Sequence, residues 1–404
     1  MPSVCLYFQV HQPFRVKKYP YFSVGWDHDY FSEGAQNSLN NKHILARVAR
    51  KCYLPANRAL LDLLNWHPEF RCSFSFSGVI LEQIEELAPE VLKSFQDLVA
   101  TGRVEILGET YHHSLAFLFS RAEFRRQVAL HSRKVQQLFG VKPKVFRNTE
   151  LIYSNDVARE VEKMRFKGIL SEGADHVLDW RSPNFIYRPA GTKKISLLLK
   201  NYRLSDDIAF RFSQRQWKDW PLTAEKFAHW VNKVNGNGTN VNLFMDYETF
   251  GEHQWEDTGI FEFLRHLPGE ILKHPDNDFA TPSELIAKYK PVSELDVPSY
   301  VSWADVERDL SAWKGNALQD DALHAIYGME RAVRKTRDPL IIDDWRKLQT
   351  SDHFYYMCTK WFADGDVHAY FNPYESPYEA FTSYMNAVRD LRQRIEMKGG
   401  EQHG

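Results

Sequence analysis

The stretch Val241-Asn242-Leu243-Phe244-Met245-Asp246 is a short apolar run that stops on a carboxylate, and the same pattern recurs in both directions along the chain. Toward the N-terminus, residues 4–10 end at His11-Gln12-Pro13, 72–76 at Ser77-Gly78, and 104–107 lead to Glu109 and His112-His113. Residues 144–147 lead to Glu150, 168–170 to Glu172, and 195–199 to Asp206-Asp207. Toward the C-terminus, Phe279-Ala280 leads to Thr281 and Ser283. Such runs are too short for helices, and helical patterns lie between several of them, as at 81–100 and 122–139. In the first of these, Ile84, Leu87, Val91, Phe95 and Leu98 recur at spacings of three and four, which puts them on one buried face. Alternation of buried strands with helices predicts a parallel α/β architecture. About seven such units close most simply as an incomplete (β/α) barrel. A doubly wound sheet would call for a Gly-rich phosphate turn, and no G-x-G-x-x-G is present.

Strand signals stop at the stretch from Lys290-Pro291 to Pro298, which divides the chain into a catalytic barrel over 1–290 and a C-terminal α-helical region over 291–404. In the second part Leu318, Ala322, Ile326, Met329 and Val333 keep one helical face, and so do Phe381, Tyr384, Val388, Leu391 and Ile395. A third helix is expected around 343–361. The region from 291 on is expected to pack as a bundle on the barrel. Its aromatic side chains, Trp303, Trp313, Trp345, Tyr355, Tyr356 and Trp361, are candidates to wall a cleft.

Composition narrows the function. The chain of 404 residues is 43% hydrophobic and 26% charged, with a net charge of −2, so nothing draws it toward nucleic acid or an acidic membrane surface. Eleven Trp and an aromatic content of 14% suit a cleft in which pyranose faces stack on flat apolar rings. Cys5, Cys52, Cys72 and Cys358 show no C-x-x-C spacing, which excludes a zinc ribbon or redox motif, and Cys5 and Cys72 read as small core residues. The N-terminus lacks a basic n-region, and no apolar run reaches about 18 residues, so a cytoplasmic protein is expected.

Position selects the candidate chemistry from 53 acidic residues. In a parallel barrel the C-terminal strand ends converge on the face where active sites are built. Glu109, Glu150, Glu172, Asp206, Asp207, Asp246 and Glu248 all fall just beyond an apolar run, and such a concentration suits a cleft in which two carboxyls flank a glycosidic bond. Glu150 sits among Arg147, Asn148 and Thr149, whose hydrogen bonds or charge would favour an ionised nucleophile. Asp246 lies against an apolar flank, which favours a protonated general acid. Periodicity does not separate Asp246 from Glu248, because residues two apart on a strand share a face.

Five blocks in order carry a resemblance to glycoside hydrolase family 57, in particular its α-amylase branch. They are His11-Gln12-Pro13, then 102–106 running into Glu109-Thr110-Tyr111-His112-His113-Ser114-Leu115, then 146–153, then Met245 to Gln254, and finally Ala280-Thr281-Pro282-Ser283-Glu284. Ser302-Trp303-Ala304-Asp305 with Asp309 to Trp313 resembles a further family segment. The resemblance implies an incomplete seven-stranded barrel followed by a helical bundle, and action on α-glucans or maltooligosaccharides with retention of configuration. It implies Glu150 as nucleophile and Asp246 as general acid/base, with no cofactor or metal. His11, His113 and Trp303 would line the sugar subsite; Glu248 and His253 in the fourth block, and Asp305 in the helical segment, would also contact substrate. The chain departs from the pattern at His112, where relatives often carry Tyr, and at Lys314, where Leu is expected.

The mechanism so implied is double displacement on an α-1,4-glucan: hydrolysis if water is the acceptor, 4-α-glucanotransfer if a glucan hydroxyl is. Two readings from other classes compete. A metal-dependent hydrolase would draw ligands from His11, His112, His113 and Asp206 or Asp207, but no H-E-x-x-H and no strand-end Asp-Asp-Gly with H-x-x-x-H is present. A non-catalytic glucan-binding protein would keep the aromatic cleft and need no carboxylate pair. His112 and His113 adjoin, so in an extended segment only one reaches a cleft.

Overall fold

A computed structural model describes residues 2–32, 36–360 and 367–401. The expected strands form with their ends shifted by a residue or two. In chain order they are β1 (Ser3–Val10), β2 (Cys72–Phe76), β3 (Val104–Ile106), β4 (Val145–Arg147), β5 (Gly168–Glu172), β6 (Arg188–Pro189), β7 (Ser196–Lys200), β8 (Asn240–Asp246), β9 (Asp278–Phe279) and β10 (Glu294–Leu295). One parallel sheet runs β3-β2-β1-β8, with β9 also on β1, and a second runs β4-β5-β7. A parallel bridge from Gly108 to Phe146 joins β3 to β4. The Asn201 amide donates to the Asn242 carbonyl at 2.9 Å, which joins β7 to β8. Seven parallel strands thus form an incomplete barrel, the architecture expected from the alternating pattern.

The pattern is legible because the strands are buried on both faces, as parallel strands are: every residue of β1, β2, β4, β5 and β7 is buried. Their side chains fill the barrel with a cluster that includes Cys5, Tyr7, Leu107, Val145, Leu170, Leu198 and Phe244. Cys5, Cys52, Cys72 and Cys358 are buried and unpaired. No described helix is long and apolar enough to cross a membrane.

Three details differ from expectation. The helix expected over 81–100 is two, Gly78–Leu87 and Pro89–Ala100, parted at Ala88 with φ −148° and ψ 60°. Pro89 is the cause, since a proline starts a helix well but excludes helical geometry from the residue before it. The helix expected around 343–361 is also two, Pro339–Lys347 and Ser351–Tyr355. Between them Thr350 forms an antiparallel bridge with Ser114, and the Ser351 amide donates to the His113 carbonyl at 2.9 Å, so backbone groups that would continue a helix are spent on another segment. Trp361 lies outside the described residues. The two-residue strand β10, which pairs in parallel with β6, lies within the stretch where strand signals were expected to stop.

The chain forms two compact units. The first is Met1–His11, Ala46–Glu109 and Val128–Trp303, and it holds the barrel. The second is Gln12–Leu45, Thr110–Gln127 and Ala304–Gly404. Its helices Ala317–Gly328, Glu330–Thr336 and Pro377–Glu401 bury the faces read from sequence, with Ala322, Ile326, Val333, Tyr384, Val388 and Leu391 inside. Trp313, Trp345 and Tyr356, expected to wall a cleft, are instead core residues of this unit. The Trp345 indole donates to the Ile326 carbonyl at 2.8 Å, which satisfies its polar edge within the core.

Candidate active site

β4 ends at Arg147, and the next five residues form a tight turn. The Leu151 amide donates to the Asn148 carbonyl at 3.0 Å, and the Ile152 amide to the Thr149 carbonyl at 2.9 Å. The Asn148 side chain donates to the Ile152 carbonyl at 2.9 Å and closes the turn from outside. Inside it Glu150 holds φ 57° and ψ 24°, and Leu151 holds φ 51°. Neither is glycine, so left-handed backbone costs both residues energy, and strain of this kind collects at functional sites.

A second segment is laid along this turn. The backbones of Tyr153 and Val301 exchange two hydrogen bonds of 2.9 Å, and the Asn155 amide donates to the Val297 carbonyl. That pairing sets Trp303 on Glu150 twice: its amide donates to the Glu150 carbonyl at 3.3 Å and its indole Nε1 donates to Glu150 Oε2 at 2.9 Å. The Arg147 guanidinium lies 4.8 Å from the centre of the Trp303 ring, and Lys200 Nζ lies 5.6 Å from it. Lys200 is buried and pairs with Asp206 at 3.0 Å and Glu172 at 3.6 Å. Around Glu150 the Asn148 side chain bonds the backbone, Arg147 stacks on Trp303, and the indole donates to the carboxylate.

β8 delivers Asp246, partly exposed, as its last residue. Beyond it 247–249 coil into a 3-10 turn, so Asp246 and Glu248 do not share a strand face and the ambiguity of spacing disappears. Glu248 is buried and accepts from the Tyr53 hydroxyl at 2.5 Å. The His253 amide donates to the Glu248 carbonyl at 2.9 Å, and burial pushes the His253 imidazole down to about 4, so it is neutral near neutral pH.

Beneath these strand ends lies a buried polar layer. The Tyr7 hydroxyl donates to Gln9 Oε1 at 2.7 Å and lies 2.7 Å from Ser75 Oγ, while the Gln9 amide donates to Glu109 at 3.1 Å. Burial raises the Tyr7 hydroxyl first; the positive charge of Arg147 opposes that, and Glu109 and Asp246 add to it. Arg147 and Asp246, from opposite parts of the barrel wall, thus act on one hydroxyl. The Glu109 amide donates to His131 Nδ1 at 3.4 Å, and the Phe76 carbonyl lies 2.7 Å from His131 Nε2. Both contacts require the proton on Nε2. Burial also lowers this histidine and keeps it neutral. His11 follows β1 directly, with Nδ1 2.6 Å from Ser77 Oγ.

Of the residues read as a site, the barrel unit holds Glu150, Asp246, His11, Trp303, Glu248 and His253, and the helical unit holds His113 and Asp305. His113 is buried with φ 49°, so 112–113 turn rather than extend, and both histidines are buried; the alternation expected of an extended segment does not apply. His112 is pushed well down by burial, then by the charges of Arg346 and Lys347. Asp305 also has left-handed backbone, φ 54°, and is 2.9 Å from His368 Nε2. Asp206 and Asp207 are occupied by cations, Lys200 at 3.0 Å and Arg211 at 2.6 Å, rather than offered as metal ligands. Sequence reading passed over Lys200, and it took Arg147 only as a neighbour of Glu150. Each is the last residue of its strand, the position that singled out the carboxylates, and the same rule applied to cations finds both.

A parallel barrel with acids at its C-terminal strand ends, one of them seated on an indole donor, suits a glycoside hydrolase. Residues 5–298 match the model of Glycosyl hydrolase family 57, and the chain belongs to that family. A protein of Methanocaldococcus jannaschii named "Putative alpha-amylase" is 42% identical over 401 residues, covering 96% of this chain and 84% of its own. Among solved structures, a family 57 type branching enzyme of Pyrococcus horikoshii superposes with a TM-score of 0.68 at 16% identity, covering 92% of this chain and 87% of that one. A 4-α-glucanotransferase of Thermococcus litoralis superposes at 0.65 and 16% identity over 87% of this chain, which spans 56% of that protein. The two structural likenesses support the fold.

Proposed function

We propose that this enzyme is a retaining hydrolase of α-1,4-glucans, of the α-amylase type, with Glu150 as nucleophile and Asp246 as general acid/base. The observation that carries the reading is the seat of Glu150, a carboxylate held on a strained turn with one oxygen fixed by the Trp303 indole. A hydrogen bond donated to the ionised form favours that form and aims it. In the first step a Glu150 oxygen attacks the anomeric carbon while Asp246 gives its proton to the departing glycosidic oxygen. In the second, Asp246 takes a proton from water, whose oxygen attacks the anomeric carbon on the face the leaving group vacated, opposite Glu150, and displaces that carboxylate. The name of the 42% identical relative supports an α-glucan as substrate. His11, His113, Glu248, His253 and Asp305 remain proposed substrate-contacting residues.

The test is product analysis on maltoheptaose with wild type, Glu150→Gln and Asp246→Asn. The wild type is expected to release shorter maltooligosaccharides whose new reducing ends are α-anomers. Glu150→Gln should be inactive, and Asp246→Asn should lose roughly 10²–10⁴-fold, as expected for loss of general acid/base catalysis. Products longer than the substrate would assign glucanotransfer to the same two residues. Full activity of either variant would overturn the assignment.

A further inference from the structure

The most anomalous buried group in the barrel is Arg147. Its side chain is fully buried, and Nε, Nη1 and Nη2 have no hydrogen-bond partner among the described residues. Burial of an unsatisfied cation is costly, and a chain selected for stability alone would place an apolar side chain there. What the guanidinium does have is a flat neighbour, the Trp303 ring 4.8 Å away, and that ring's N–H holds Glu150 Oε2 at 2.9 Å. We propose that Arg147 is a positioning residue for the nucleophile: stacked on Trp303, it keeps the indole N–H aimed at Glu150 and holds uncompensated positive charge beside that carboxylate.

Two physical effects combine. A cation on the face of an indole fixes the ring and polarises its N–H, which makes a better donor. A positive charge in a desolvated site also acts over several ångströms with little screening. Lys200 reaches the same ring, but Asp206 and Glu172 offset its charge. Arg147 also acts on Tyr7 of β1, on which Glu109 beyond β3 and Asp246 at the end of β8 act in the opposite sense. Tyr7 is raised by burial and stays neutral in any ordinary assay. Asp246, as acid, sets the alkaline limb of the rate profile, which leaves Glu150 to set the acidic limb.

The inference rests on the nucleophile assignment above, so its test separates the two. Arg147→Met, Arg147→Lys, Trp303→Phe and the double variant Arg147→Met/Trp303→Phe are assayed on maltoheptaose across pH, with thermal unfolding measured in parallel. Arg147→Met should lower kcat roughly 10–100-fold, the scale of a lost electrostatic contact. Its acidic limb should move up by about one pH unit. Its Tm should hold or rise, because an uncompensated buried charge is gone. Arg147→Lys should keep the acidic limb near wild type while losing rate with the stack. The double variant should lose less than the product of the two single losses, since the stacking part of both changes acts through one contact while the loss of charge remains.

An unmoved acidic limb with a lowered Tm would make Arg147 a packing residue and overturn the proposal, as would independent, multiplicative losses in the double variant. Should Arg147→Met fail to fold, Arg147→Lys decides by itself, and wild-type kcat in it overturns the stacking role. Independently, Glu150→Ala with added azide should yield a glycosyl azide, as azide replaces the missing carboxylate at the anomeric carbon. Absence of that adduct sinks the nucleophile assignment, whereas its presence beside an unmoved Arg147→Met profile sinks only the role of Arg147.

Discussion

In the helical unit burial acts to lower His368, yet a hydrogen bond to Asp305 at 2.9 Å outweighs it and lifts the imidazole to about 9 from an ordinary 6.5. Asp305 moves the opposite way: burial acts to raise it, but His368 and Lys360 hold it below the usual carboxylate range. Because the folded His368 binds its proton more tightly than the unfolded one, the stability it adds is complete below pH 6.5 and is lost as pH rises through about 9. His253 has the reverse sign. Lowered to about 4 by burial, it stays neutral in the fold while the unfolded chain protonates, so stability falls from pH 6.5 down toward 4. His112 and His131 are lowered too and act in the same sense. Thermal stability should therefore peak near the ordinary histidine value. His368→Gln should flatten the alkaline side and His253→Gln the acidic side, each by something on the order of 2 kcal/mol at the extremes. Unfolding measured from pH 4 to 9 checks this, and a peak that stays put with both slopes intact in the variants would exclude both histidines.

Among the elements, the loop after β8 is held by a glycine. Gly251 has φ 111°, and a Cβ there would run into the Lys51 carbonyl oxygen. Gly251→Ala should thus cost roughly 2 kcal/mol, within the range for an incompatible backbone site. Since 247–254 continue directly from Asp246, kcat should fall as well. A variant with wild-type Tm and kcat would show that the loop gives way freely. The elements themselves were largely legible in the sequence, because strands buried on both faces write themselves as apolar runs and the strand end is where the run meets a polar residue. β2 has the bounds expected, and β8 differs by one residue at each end. Helix interruptions at Ala88 and at 348–350 were missed because apolar periodicity continues across them, while Pro89 and the pairing of Thr350 with Ser114 decide the backbone. The least legible feature was the seat of Glu150. Trp303 was marked by its block, but its partner was not, since the pairing of 153 with 301 joins distant segments and leaves no local trace.

At the scale of the molecule, the helical unit draws on three separated segments, and its buried polar groups bind them together. The Tyr30 hydroxyl donates to Asp390 at 2.6 Å, and the Arg394 guanidinium donates to the same hydroxyl at 2.9 Å. Glu123, fully buried, pairs with Arg334 and with Arg346, the latter at 2.7 Å. A chain cut after residue 303 would keep Tyr30 and Glu123 without these partners, and a buried carboxylate stripped of its cations is strongly destabilising. The fragment 1–303 is expected to aggregate more readily than the full chain. A folded, soluble fragment by size exclusion and circular dichroism would refute it. The apolar faces of the last helices were visible as periodicity, whereas the membership of 12–45 and 110–127 was not, because those segments are short in regular structure and their partners lie far along the chain.

That contact between Tyr30 and Asp390 spans 360 positions, and it sets a clock on biosynthesis. At the usual pace of translation the first segment emerges roughly 20–70 s before its last partner leaves the ribosome. For that time Tyr19, Tyr30 and Leu39, all buried in the finished protein, have no permanent neighbours to cover them. The barrel strands can pair as they are made, but the helical unit closes only when the final helix arrives, so the nascent chain has to be shielded at its oldest end longest.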